Sequence, residues 1–131
     1  MFLHMLNDDQ KRAFAALALK LAAADGTVVG REAAKLRALA GEMNLELEGL
    51  DTAADVATLA AAFTDRRSKV VALLELFGFA YSDTSFQAVE QSLVAEVARA
   101  MDLPGDELTR LDAWVAQHVE HIRQAFALMR G

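Results

Sequence analysis

Apolar residues recur along this chain at three- and four-residue spacings, and the breaks between these runs divide it into helices. From residue 8 to about 24, Phe14, Leu17, Ala18, Leu21 and Ala22 share one stripe. Asn7, with Gln10 three residues on, gives the start signal, Asp8 and Asp9 suit the positive end of the helix dipole, and Asp25-Gly26 supplies the stop. A second helix over about 30–43 carries Leu36, Leu39, Ala40 and Met43 on one face; Asn44, Gly49 and Asp51 then break the chain before a short alanine-rich helix over about 51–63. Thr64 or Asp65 caps a fourth helix, about 65–82. There Val70, Val71, Leu73, Leu74, Leu76, Phe77, Phe79 and Tyr81 cover nearly the whole circumference, the mark of a central helix. A fifth, about 86–101, carries Val89, Leu93, Val94, Val97 and Met101. Pro104, tolerated in a first turn, opens a last helix to about 129, with Leu108, Leu111, Val115, Val119, Ile122, Phe126 and Met129 expected inward. The pattern predicts an all-α fold, a compact bundle of about six helices.

Composition strengthens that reading. Among 131 residues, 27 are Ala, while Ile, Tyr and Trp occur once each, too few β-branched and aromatic residues for an ordinary sheet. The length suits one domain, residues 1–131. A formal charge of −6 disfavours general adhesion to nucleic acid, and the absence of cysteine excludes disulfides, thiolate metal sites and cysteine nucleophiles. The longest apolar stretches, 13–24 and 70–81, are interrupted by Lys20 and Glu75, so no membrane insertion is expected. The N-terminus lacks a signal-peptide pattern, and a cytoplasmic location is expected.

An internal repeat with an offset of 58 residues sets the architecture. Asp25 maps onto Asp83, Glu32 onto Glu90, Leu36 onto Val94, Leu39 onto Val97, Ala40 onto Ala98, Met43 onto Met101, Leu45 onto Leu103 and Leu50 onto Leu108. Two pseudo-symmetric three-helix repeats follow, one over about 8–63 and one over about 65–129, each with an Asp-x6-Glu turn between its first two helices.

The segment AAADGTVVGRE at 22–32 resembles the ADG-x5-E pattern of the TerB-like domain, the tellurite-resistance TerB family of bacterial helical proteins, and AYSDTSFQAVE at 80–90 echoes it. MFLHMLNDDQKRAFAALA at the start and LLELFGFAYSD in the second half are also similar to members of that family, so the resemblance spans essentially the whole chain. It implies an all-α cytoplasmic domain linked to tellurite and general stress response, with the paired acidic residues as ligands of a metal cation. The chain departs from the family pattern at the capping serines, replaced by Val29 and Gln87, and at Thr84, which stands where the first copy has Gly26.

The acidic pairs carry two readings. As a metal site, Asp25, Glu32, Asp83 and Glu90 offer hard oxygen ligands suited to Ca²⁺ or Mg²⁺, with two half-sites converging. As structure, each Glu lies near the third position of its helix, where it complements free backbone N–H groups, and each Asp makes a turn. Neither copy fits the twelve-residue EF-hand loop. His118 and His121, three apart on the last helix, share a face but have no third ligand near them in sequence. No glycine-rich phosphate loop, G-x-S-x-G elbow or H-E-x-x-H motif occurs, and no enzyme activity is expected. Two functions stay open: a cation-binding or cation-responsive protein-interaction module, or a ligand-free helical scaffold whose acidic residues only cap and turn. For either, a protein partner or a homodimer is expected. It would border the fourth helix if Val71, Leu76 and Phe79 are incompletely covered; the alternative is that the surrounding helices enclose them.

Overall fold

The computed structural model of the chain describes residues 2–23, 37–38, 40–41, 53–81 and 88–131. The fold is all-α. A 3-10 turn at Leu3–Met5 is followed by α1 (Asp8–Ala22), α2 (Val56–Ala60), α3 (Arg66–Tyr81), α4 (Ala88–Ala100) and α5 (Gly105–Arg130). The helix expected over 30–43 lies mostly outside the described residues; 37, 38, 40 and 41 are helical. Most positions that would pair the two repeats also lie outside them; of the matched pairs, Ala40 and Ala98 are both described and both buried.

Local chemistry sets the helix starts. Asn7 closes a capping box: its side chain accepts from the Gln10 N–H (2.8 Å), and the Gln10 side chain accepts from the Asn7 N–H (3.0 Å). Gln10 is itself buried, and its Nε2 donates to the Ala62 carbonyl (3.2 Å), fastening α1 to the segment after α2. Asp55 caps α2 through the Thr58 N–H (2.8 Å). Asp65, rather than Thr64, accepts from the Ser68 N–H at the start of α3 (3.3 Å). Helix α4 ends in a left-handed residue, Asp102 at φ 63°, with the Asp102 N–H donating to Arg99 (3.0 Å) and the Leu103 N–H to Ala98 (2.9 Å).

Helix α3 is the centre, packed against α1, α4, α5 and the N-terminal turn. Val71, Leu73, Leu76, Phe77 and Phe79 are all buried. The surrounding helices thus enclose the face that the sequence left open as a partner surface. The one carboxylate in this helix, Glu75, is 6% exposed; its Oε1 accepts from the Phe2 N–H (2.6 Å) and so holds the N-terminal turn, whose Leu3 is fully buried.

The last helix differs most from expectation. Val115 is buried and Leu108, Leu111 and Val119 are half-buried, but Ile122, Phe126 and Met129 are 46%, 56% and 77% exposed rather than inward. Length explains this. With 26 residues α5 runs about 39 Å, whereas the 16 residues of α3 run about 24 Å, so α5 is long enough for its C-terminal turns to outreach the other described helices.

Candidate functional site

Of the four acidic residues expected to bind a cation, Asp25, Glu32 and Asp83 lie outside the described residues. Glu90 is half-buried in the first turn of α4, where its charge complements the helix dipole. Among the described residues no group of three or more His, Cys, Asp or Glu side chains is placed to hold a metal ion. His118 stacks flat on Trp114, with centroids 5.3 Å apart and planes 5° apart, while His121 is exposed.

Directly after Glu90, Gln91 enters the wall of a cleft. The cleft lies between α3, α4 and α5, measures about 430 Å³, and is lined by Phe77, Gln91, Ser92, Val94, Ala95, Leu108, Thr109 and Asp112. Its apolar floor follows from helix periodicity. Val94 and Leu108 lie on the buried sides of their helices, and Phe77 reaches in from α3, so Gln91, Ser92 and Thr109 fall on the neighbouring polar sides and form the rim. The volume falls within the roughly 300–1,000 Å³ of small-molecule sites.

Asp112 is the ionisable group of the cleft, and it already has a partner: the Tyr81 hydroxyl donates to Asp112 Oδ1. Burial pushes the Tyr81 phenol up to about 12, and the hydrogen bond to Asp112 and its negative charge add to that shift. Tyr81 therefore keeps its proton throughout the physiological range, so it acts as a hydrogen-bond donor and not as a base. A second tie across the same helix pair, Arg66 to Glu107 (2.8 Å), joins the start of α3 to the start of α5. The geometry suits positioning α5 against α3, or holding a small ligand with a donor for Asp112.

Sequence reading missed this pair. It counted Tyr81 among the apolar residues of the central helix, and Asp112 drew no notice. The signal was present: a phenol at the end of a buried helix needs a polar partner, and Asp112 interrupts the apolar stripe between Leu108 and Val115. Comparison with protein families, with characterised proteins and with solved structures finds no match to this chain.

Proposed function

We propose that this protein is a TerB-like helical interaction module. In this reading it is cytoplasmic, non-catalytic and tied to tellurite or general stress response, and two three-helix repeats make up its single domain. The observation that carries the interaction role is the exposed apolar row on α5. Ile122, Phe126 and Met129 face water on the longest of the described helices, and large apolar side chains grouped in this way mark a surface that something else covers. The acidic turns supply the responsive part: Asp25, Glu32, Asp83 and Glu90 take Ca²⁺ or Mg²⁺ between the two turns. Because Glu90 opens the helix that walls the cleft, cation binding there bears on the packing of α4.

The rival is a ligand-free scaffold, favoured by the place of Glu90 in a first helical turn, where the dipole accounts for it without an ion. Two measurements test the proposal. Ile122→Ser with Phe126→Ser leaves the melting temperature within about 2 °C of wild type, because exposed positions away from special features change stability by no more than about 0.5 kcal/mol. A fall of many degrees would place these residues in the core and remove the basis of the interaction role. Thermal unfolding across a Ca²⁺ and Mg²⁺ titration tests the cation half.

A further inference from the structure

The hydrogen-bonding groups of the cleft between α3, α4 and α5 are of one kind on its α5 side. Thr109 and Asp112, three residues apart, share a face of that helix. The Thr109 hydroxyl donates to the Gly105 carbonyl (3.0 Å), so toward any other group its oxygen serves as an acceptor. Asp112 is half-buried and accepts from the Tyr81 hydroxyl on Oδ1, while Oδ2 keeps its lone pairs. This wall therefore accepts hydrogen bonds and does not donate them. The neutral phenol also leaves the charge of the carboxylate unbalanced. Arg66 pairs with Glu107 (2.8 Å), Arg110 with Asp106 (3.4 Å) and Arg123 with Glu120 (3.6 Å), and among the described residues no lysine, arginine or histidine is paired with Asp112. Phe77, Val94, Ala95 and Leu108 make the rest of the lining apolar, and the short side chain of Ala95 leaves room between α4 and α5.

We infer that this cleft binds a small primary ammonium compound with an apolar body, an alkyl or arylalkyl amine in its protonated form. The ammonium group donates to Asp112 Oδ2 and Thr109 Oγ1 and balances the carboxylate, and the apolar body lies against Phe77, Val94 and Leu108. The lining discriminates against other classes. An anion meets the charge of Asp112, and an alcohol of the same shape brings one donor and no charge where the ammonium brings three donors and a charge. A Ca²⁺ ion, which takes six to eight oxygen ligands, finds one carboxylate and one hydroxyl. The volume of about 430 Å³ suits a small molecule rather than a folded partner. The site uses neither the exposed row of α5 nor Asp25, Glu32, Asp83 and Glu90, so it stands independently of the interaction and cation roles proposed above. Gln91, Ser92 and Thr109 are exposed at the rim, which leaves the cleft open on one side. One charged anchor and a short apolar floor then give a dissociation constant of about 0.1–1 mM.

Titration of the full ¹⁵N-labelled chain with 2-phenylethylammonium chloride, followed by amide chemical shifts, tests this. The shifts should saturate and should cluster at residues 91–95 and 108–112. The uncharged analogue 2-phenylethanol should bind at least about tenfold more weakly, and 3-phenylpropanoate should not bind. Asp112→Asn should weaken ammonium binding by a similar factor and remove the preference for the ammonium over the alcohol. Its amide oxygen can still accept from Tyr81, so unchanged circular dichroism is expected. Ala95→Met fills the gap between α4 and α5 while leaving every charge in place, and it should block binding; if Asp112→Asn does not fold, this variant decides. The absence of a saturable shift up to about 20 mM would overturn the proposal. So would an alcohol bound as tightly as the ammonium, a folded Asp112→Asn with unchanged affinity, or an Ala95→Met that binds like wild type. Nα-acetyl-lysine methylamide carries the same ammonium on a stem that ends in two peptide groups, and it should bind more weakly than 2-phenylethylammonium. Tighter binding of that compound would assign the cleft to a lysine side chain of a protein and overturn the small-molecule site.

Discussion

Tyr81 is the single tyrosine of the chain, so its titration can be read without overlap from another phenol. Its pKa, raised from 10.0 to about 12 by burial first and by Asp112 second, means that the folded state holds the phenolic proton more tightly than the unfolded state does. The stability linked to this proton is fully present below about pH 10 and is lost as pH rises through about 12. Ultraviolet difference titration should therefore show one phenolate transition near pH 12. Asp112→Asn should bring its midpoint down without returning it to 10.0, because burial, the larger cause, remains. A wild-type midpoint at 10 would show that the pair does not persist in solution. At this scale the sequence was least legible. Glu75 reads as an interruption in an apolar run, and nothing nearby indicates that it accepts from Phe2, 73 residues away. Asn7 with Gln10 was legible because both partners of the cap lie within one turn of each other.

For the elements, the same contrast separates starts and ends from faces. The starts of α1 and α3 follow from side chains three residues from the N–H groups they accept, and the predicted boundaries lie within a few residues of those observed. The outward turn of the end of α5 was not legible, since periodicity shows that a helix has an apolar stripe but not how far its neighbours extend along it. The end of α4 gives the test at this scale. Asp102 takes a φ of 63°, where its Cβ crowds the following carbonyl, and glycine is free of that crowding. Asp102→Gly should raise stability by about 1 kcal/mol, measured by urea unfolding with an unchanged slope. A loss of stability would mean that the aspartate side chain contributes more than its backbone conformation costs.

Across the whole molecule, the proposed cation site connects the charge balance to function. In the proposed site Asp25, Glu32, Asp83 and Glu90 would come together in a chain that already has an excess of carboxylates, and four carboxylates brought together without a cation repel one another. An ion that relieves this repulsion binds the folded state alone and stabilises it by RT ln(1 + [L]/Kd), about 2.7 kcal/mol at a hundredfold excess over Kd, or on the order of 10 °C in melting temperature for a domain of this size. The two turns are unequal partners in such a site. The first keeps Gly26 after its aspartate, and the second has Thr84, whose branched side chain resists the positive φ that glycine adopts freely. Asp25→Asn should therefore abolish the cation-dependent shift, and Asp83→Asn should only weaken it. Equal losses from the two variants would instead make the two aspartates equal ligands of the site. No shift of wild type in millimolar Ca²⁺ or Mg²⁺ would leave Asp25, Glu32, Asp83 and Glu90 as turn and cap residues and decide for the ligand-free scaffold.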